Sequence, residues 1–380
     1  MRFLSVFVVS CLCAAVALAQ TAGVAGREFA HPGLLHSRED VARMRQRVAA
    51  GDEPWKSGFE VLRADACSRA DWRLRGPRDT VTRCPSGSRG NSEMVLDGNA
   101  AYQNALMWCV TGDEAHARKA VEILNAWSRV LVRMDGRDVQ LSAGLNGFKF
   151  ANAAELMRHT YPAWQAEDIA RCEKMLKEVV YPPVANFALH ANGNWDAACI
   201  KTVMAIGVFC DDAELFDRAV RYFRAGKGNG RLTHYVVNDT GQSQESGRDQ
   251  QHAQLGLGLL AEACEIAWTQ GVDLYGECDN RLLKGFEYTA RYNLGDDGVP
   301  FAEHIDTTGK YRHKKISADG RLRLRPVYEM VWNHYENRRG IPAPFTRQAA
   351  EKIRPEGAAH GSDHPGFGTL LFTVPASGVH

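Results

Sequence analysis

Apolar residues recur at three- and four-residue spacing along most of this chain, and the period-two alternation of a half-buried strand is nearly absent. The spacing predicts helices over 53–66, 97–111, 114–132, 143–158, 166–180, 195–209, 212–224, 244–269, 278–292 and 325–336. Ser37-Arg-Glu-Asp40 reads as a capping box ahead of Val41, Met44 and Val48, and Gly51 stops that helix. Strand signals are short, chiefly His234–Val237 and Leu370–Val374. Turns such as Thr111-Gly-Asp113 and Cys210-Asp-Asp212 make consecutive helices antiparallel neighbours. No heptad seam and no linker composition interrupts the series, which predicts one domain over residues 29–380. An array of about ten to fourteen such helices can close into an all-α (α/α) toroid, an incomplete barrel whose inner helix ends surround a cleft, and this is the expected fold. The irregular stretch 293–324 is too long for a passive connection and is expected to wall that cleft.

The N-terminus changes the compartment. Met1-Arg2, an apolar run from Phe3 to Leu18 and the small residues Ala17-Leu18-Ala19 read as a signal peptide over 1–19, followed by a short segment 20–28. No later segment reaches the roughly 20 apolar residues of a membrane span, so the mature protein is expected to be secreted or periplasmic and without a membrane partner. Eight cysteines remain in an oxidising compartment. Cys67–Cys84 and Cys264–Cys278 are the sequence-local disulfide candidates, although Cys109, Cys199, Cys210 and Cys264 sit in apolar helical contexts that equally suit buried thiols.

A formal net charge of +1 argues against nucleic-acid binding, and 45% hydrophobic composition is ample for a large core. Charge is nevertheless clustered. Arg73, Arg75, Arg78, Arg83 and Arg89 share one loop, and Lys310, Arg312, His313, Lys314, Lys315, Arg321, Arg323 and Arg325 share another. Two basic loops on a neutral exported protein suit a polyanionic substrate such as an acidic polysaccharide.

Chemistry concentrates in Gly241–Leu260. At about 100° per residue, Glu245, Arg248, Asp249 and His252 fall on one face at the head of an apolar helix. That helix carries Gly256 and Gly258, which weaken it unless a neighbouring backbone comes close. Two further segments compete for the cleft: His190-Ala-Asn-Gly-Asn-Trp-Asp196, ahead of an apolar helix, and Gly285–Gly295, which sets Tyr288 and Tyr292 one turn apart. Ala225–Gly230 lacks the spacing of a phosphate loop and reads as a connection between helices that is placed to line the cleft. His190, His252 and His304 do not have the spacing of a known metal site, so neither metal nor cofactor is expected.

These residues resemble a known family. His31-Pro-Gly-Leu-Leu35, Asn192-Gly-Asn-Trp195, Gly226–Gly230, Gln244–His252, Glu287–Asn293 and Arg325–Tyr335 look like the alginate-lyase superfamily, nearest the branch classed as polysaccharide lyase family thirty-eight. The resemblance covers nearly the whole mature chain. It implies an α/α toroid that cleaves a polyuronate, alginate or glucuronan, by β-elimination to leave unsaturated uronate ends, as a monomer with no partner beyond its acidic polysaccharide.

Elimination needs a group that neutralises the uronate carboxylate, a base for the C5 proton and an acid for the departing O4. By resemblance, toroidal lyases combine Asn, His, Arg and Tyr in these roles. Here Asn194 is the expected neutraliser, with Asn192 as substitute; Asn194 would otherwise serve as a helix N-cap. His252 is expected as base or neutraliser, Arg248 as the cation that binds carboxylate or lowers a tyrosine pKa, and Tyr292, ahead of Tyr288, as the acid. Asn192, Trp195, Gln244, Glu245, Tyr288 and Arg325 are the expected substrate-binding residues. The chain departs from the superfamily's Asn-His pair by carrying Asn-Gly-Asn-Trp, so its histidine must come from elsewhere. Two other classes remain open: an α/α-toroid glycoside hydrolase, for which Glu245, Asp249, Glu287 and Glu303 offer carboxylates, and a binding protein without chemistry.

Overall fold

The computed structural model describes residues 26–358 and 363–375. The expected signal peptide lies outside the described residues. Helices α1 (Arg38–Ala50) and α2 (Trp55–Ala64) lead into a parallel pair of three-residue strands, β1 (Thr80–Thr82) and β2 (Arg133–Asp135), that brackets α3 (Asn91–Thr111) and α4 (Glu114–Val130). Next come α5 (Val139–Thr160), α6 (Ala166–Met175, prolonged by a π turn, Leu176–Val180, and a further turn, Tyr181–Val184), α7 (Gly193–Phe209), α8 (Ala213–Ala225) and the short α9 (Leu232–Tyr235). The chain continues through α10 (Gln250–Thr269), α11 (Glu277–Asn293), the hairpin β3 (His304–Ile305) and β4 (Arg312–His313), α12 (Tyr328–Trp332), α13 (Pro344–Ile353) and α14 (Gly368–Leu371).

Sequence divides these helices into two rings. α3, α5, α7 and α10 are apolar nearly all round and buried along most of their length, and each packs on the next. α4, α6, α8 and α11 have one apolar face and close the outside. This is the expected α/α toroid. Small residues let the helices close up: a Cβ on Gly144 would meet the backbone of Ala198 within the inner ring, and one on Gly207 the backbone of Phe216 on outer helix α8. The two glycines of α10 have a different reason, since side chains fill their places, Tyr235 over Gly256 and His364 with Val327 over Gly258.

The inner helices all run the same way. Their N-terminal ends, at Asn91, Val139, Gly193 and Gln250, meet at one rim, where Ser142 Oγ donates to Asn91 Oδ1 (2.6 Å). Their C-terminal ends are tied at the other rim by the segment before α1, whose capping box is present as expected. There His31 bridges Glu155 (2.7 Å) and Asp211 (2.9 Å), and Thr269 Oγ1 donates to the carbonyls of Gly33 and Leu34. Four helix N-termini around one opening make that rim favourable for anions.

Some expectations shift. The segments 234–237 and 370–374 are not strands: Leu232–Tyr235 and Gly368–Leu371 are single helical turns, because their apolar residues seat in the toroid rather than in a ladder. α13 has a clear apolar face that the sequence reading passed over, and its N-terminus is capped by Glu287, which accepts from Phe345 N, Thr346 N and Thr346 Oγ1. Neither expected disulfide forms; Cys67 and Cys264 are buried thiols, Cys84 is half-buried and Cys278 exposed.

Behind α12, Glu356 is buried beside Glu329. Burial first, then the neighbouring carboxylate, pushes the Glu356 carboxyl up to about 8 from its ordinary 4.5. Its Oε1 accepts from the backbone of Tyr328 and Glu329 (3.1 Å each), while Arg354 holds Glu329. The folded state therefore binds an extra proton between these two pH values, so the stability this proton confers is complete below about 4.5 and is lost as pH rises through about 8. The melting temperature is expected to fall by several degrees across that window, and Glu356→Gln should remove most of the slope. Parallel melting curves of both proteins across pH would contradict this account.

Candidate active site

At the N-terminal rim lies a cavity of about 450 Å³ lined by Arg137, His190, Ala191, Asn192, Trp195, Arg248, Tyr311 and His313. They come from the N-terminal ends of inner helices and from the β3–β4 hairpin: Arg137 precedes α5, Asn192 precedes α7, Trp195 stands in the first turn of α7 and Arg248 precedes α10. None of the eight is a carboxylate. Trp195 stands edge-on to the His190 ring (centroids 6.1 Å), which leaves an aromatic surface beside the cations.

Beneath this wall sits a buried polar floor. Glu245, fully buried, accepts from Asn194 N (3.1 Å), Asn194 Nδ2 (2.7 and 2.9 Å), Arg248 Nη1 (2.7 Å) and Tyr235 OH (3.2 Å). The Arg248 charge compensates a carboxylate that burial would otherwise penalise. Gln244 Oε1 accepts from Gly193 N, and its Nε2 donates to Asn192 Oδ1 (3.1 Å), which fixes the Asn192 amide and leaves its nitrogen as the donor half. His252 Nδ1 pairs with Asp249 Oδ2 (2.7 Å), and Arg248 Nη2 lies 3.1 Å from Nε2. With Nδ1 protonated toward Asp249, the Nε2 lone pair faces the guanidinium. Burial would raise the Asp249 carboxyl, but the His252 ring and backbone N–H bonds outweigh it and hold the carboxyl below the usual range.

The four ionisable residues of Gly241–Leu260 do meet, though not on a helix face. Glu245 and Arg248 precede α10 in a run of turns, and Asp249, with extended backbone, is the N-cap whose Oδ1 accepts from His252 N (2.7 Å). Asn194 likewise differs from both expectations. It lies inside α7, with Asn192 at the N-cap position but without a side-chain cap bond, and it is fully buried with its amide committed to Glu245. Asn192 is the asparagine that lines the cavity.

His313 follows from β4. Its ring seats over Gly247, where a Cβ would collide with it, and its Nε2 is buried without a partner. Burial lowers its pKa first, Glu245 and Asp306 raise it and Arg248 lowers it, and the net shift is downward.

A family model described as alginate lyase matches residues 67–301. The chain belongs to the alginate lyase family. It is a polysaccharide lyase. No curated protein matches the sequence. Among solved structures, the lyase is similar to alginate lyase A1-III from Sphingomonas species A1 (16% identity, 88% of this chain and 95% of that one, TM-score 0.65). A second likeness is to an alginate lyase from Bacteroides ovatus (15% identity, 91% and 97% covered, TM-score 0.55). A histidine-to-alanine variant of A1-III complexed with a tetrasaccharide also matches (16% identity, 88% and 94% covered, TM-score 0.64). At these identities the likeness shows the fold.

The other expected site residues of the lyase lie elsewhere. Tyr292 is buried with Tyr288, Val299 and Ile316 under Arg321, whose guanidinium stands 3.9 Å from the ring centroid. Tyr288 donates to Pro300 O (2.8 Å) and lines a separate outer cavity with Leu283 and Phe345. Both therefore sit in packing between α11 and the segment after it. Arg325 pairs with Asp363 (3.0 Å) and does not line the cavity either. Of the four carboxylates a hydrolase reading offered, Glu245 and Asp249 are committed as above, Glu287 caps α13 and Glu303 pairs with Arg312.

Among the described residues, one group has ligand atoms within 4.8 Å of one another, namely His31, Glu155 and His159 at the opposite rim. There the two histidine rings stack with centroids 4.3 Å apart and an interplanar angle of 10°, which keeps a common ion out of both ring planes.

Arg137 and Tyr311 are cavity residues that the sequence reading did not name, and His313 entered it only as a member of a basic run. Tyr311 and His313 share one segment. They lie beyond the matched span, in the segment expected to wall the cleft, and Tyr311 is the one aromatic within its basic run.

Proposed function

We propose that this lyase is an exported enzyme that cleaves a polyuronate, alginate or glucuronan, by β-elimination, with Tyr311 as the group that exchanges protons with substrate. The observation that carries this reading is the composition of the cavity: Arg137, Arg248 and two histidines, a phenol, an indole, four helix N-termini around the rim, and no carboxylate in the wall. A glycosidase needs two carboxyl groups flanking the bond. An elimination needs cations and donors on the uronate carboxylate, and one Tyr close to an Arg to take the C5 proton and protonate O4.

In this reading Arg248 and the Asn192 amide neutralise the carboxylate. Asp249 and His252 hold Arg248, and Asn194 with Glu245 holds its other side. Trp195 offers a face for a sugar ring. The alginate lyases it resembles, one of them complexed with a tetrasaccharide, support an oligouronate as the occupant. A panel of polymannuronate, polyguluronate and glucuronan tests the reading. Growth of ultraviolet absorbance from the conjugated double bond is expected on at least one polymer, whereas new reducing ends without absorbance would mean hydrolysis, and neither would mean binding alone.

The basic run after β4 contributes steering. Gly247 packs against His313 and the Lys315 backbone, so the exposed Lys314 and Lys315 directly follow a residue of the cavity wall, whereas Arg78 is paired with Glu93 (3.1 Å). Replacing Lys314 and Lys315 together by alanine is expected to raise KM severalfold at low ionic strength and flatten its salt dependence, with kcat within about twofold, because such contacts bind ground and transition states alike. An unchanged KM in low salt would remove them from substrate binding.

A further inference from the structure

The hairpin that carries Tyr311 has only two residue pairs of its own ladder, His304 with His313 and Ile305 with Arg312. So short a ribbon does not hold a side chain in place by itself. Its loop is instead gathered around the Asp306 carboxylate. Oδ1 accepts from Tyr311 N (3.0 Å), and Oδ2 accepts from Thr308 N (3.1 Å), Thr308 Oγ1 (2.6 Å) and Asn229 Nδ2 (2.7 Å). The backbone completes the loop, with Asp306 N donating to Tyr311 O (3.1 Å). Both main-chain polar groups of Tyr311 therefore end on Asp306. Burial alone would raise that carboxyl, but these donors outweigh it and hold it ionised below its usual range.

Asn229 belongs to a different part of the chain, the glycine-rich connection between α8 and α9, and is fully buried. Its Nδ2 also donates to Ala191 O (2.8 Å), and its Oδ1 accepts from Thr307 N (3.0 Å) and Thr307 Oγ1 (2.9 Å). One amide thus joins the two walls of the cavity, the His190–Asn192 side and the Tyr311 side. The connection is itself anchored to α7, since Asp196 Oδ2 accepts from Gly230 N (2.8 Å). A plain connection between α8 and α9 would have no use for a buried amide with four bonds.

We propose that Asn229 and Asp306 are positioning residues of the lyase: together they fix the hairpin against the Ala191 wall and so set the distance between the Tyr311 hydroxyl and a bound uronate. The inference rests on the reading of Tyr311 given above. Proton transfer requires reacting atoms at near-contact distance, and a misplacement of about 1 Å costs on the order of 10²-fold in rate. Loosening the clamp should therefore act on kcat and not on KM, because Arg248 is held by Glu245 and His252 and not by Asn229 or Asp306.

The test uses three variants of the full mature protein, assayed by ultraviolet absorbance on whichever polymer the panel identifies. Asn229→Ala is expected to lower kcat by about 10- to 100-fold with KM within about threefold. Since Asn229 is buried and its loss can destabilise the fold, the half-buried Thr308 supplies a milder probe. Thr308→Val, which removes one donor to Asp306, should lower kcat by about three- to tenfold at an unchanged melting temperature, and Thr308→Ser, which keeps the hydroxyl, should restore it. Tyr311→Phe runs alongside. Loss of activity in Tyr311→Phe with wild-type kcat in Asn229→Ala and Thr308→Val, or a loss confined to KM, would overturn the clamp and leave Tyr311 standing. Full activity in Tyr311→Phe would overturn the reading of Tyr311 and the clamp with it.

Discussion

Tyr311→Phe is expected to lower kcat by about 10² to 10⁴ while KM changes little. The substitution keeps the ring and its packing and deletes only the hydroxyl, so its effect isolates proton transfer. The same substitution at Tyr292 should stay within about twofold of the parent, because that ring is packed beneath Arg321 between α11 and the segment after it and does not line the cavity. Tyr288→Phe should lose only its bond to Pro300 O and some stability. Initial rates on the cleaved polymer decide the matter. If Tyr292→Phe were the inactive protein and Tyr311→Phe the active one, the cavity described here would not be the place of chemistry.

Arg248→Ala carries the second large effect. Arg248 is the junction of the floor: it neutralises buried Glu245 through Nη1, meets His252 through Nη2 and faces the cavity. Its removal takes away the cation nearest the expected uronate carboxylate, and kcat/KM is expected to fall by about 10²- to 10³-fold. It also leaves Glu245 buried with only neutral donors, Asn194 and Tyr235, which costs about 3–5 kcal/mol of stability by the usual penalty for an orphaned buried charge. Melting temperature and activity should therefore fall together. Arg248→Lys should recover stability better than rate, because a single ammonium cannot span Glu245 and the cavity as a planar guanidinium does. Full rescue of rate by lysine would mean that Arg248 supplies charge without geometry.

The place of His252 follows from the same junction. Asp249 on one nitrogen and Arg248 near the other leave the imidazole no free lone pair, and in the proposed mechanism it therefore holds the guanidinium. His252→Ala is accordingly expected to cost less than Arg248→Ala, and the kcat/KM ratio of the two variants measures how far the orientation of the arginine depends on its neighbour.

Periodicity was enough to define most of the long helices, though not α13 or the single turns α9 and α14, because each long helix buries a stripe or a whole surface and burial writes itself into spacing at 3.6 residues per turn. The toroid followed from short turns between such helices, and the all-round apolar character of α5, α7 and α10 marks the inner ring. Local chemistry was also legible where partners are close in sequence: Glu245, Arg248, Asp249 and His252 converge within eight residues, even though a turn and an N-cap bring them together and not the face of a helix. What sequence spacing does not encode is which distant segment completes a wall. Tyr288 and Tyr292, one turn apart on a helix, advertise a shared face, yet that face is covered by Val299, Ile316 and Arg321. Tyr311 shows no periodicity at all; its position comes from a two-pair hairpin folded over Gly247 and fastened by Asn229, roughly eighty residues earlier in the chain. Nor does sequence show the direction of a buried amide, which is why Asn194 and Asn192 exchange places once Glu245 claims the first and Gln244 turns the second. The sequence by itself determined the helices, their two-ring arrangement and the residue types of the cleft, since these depend on local burial; the tertiary structure alone decided which of those residues face the cavity, since that depends on long-range hydrogen bonds with no local trace.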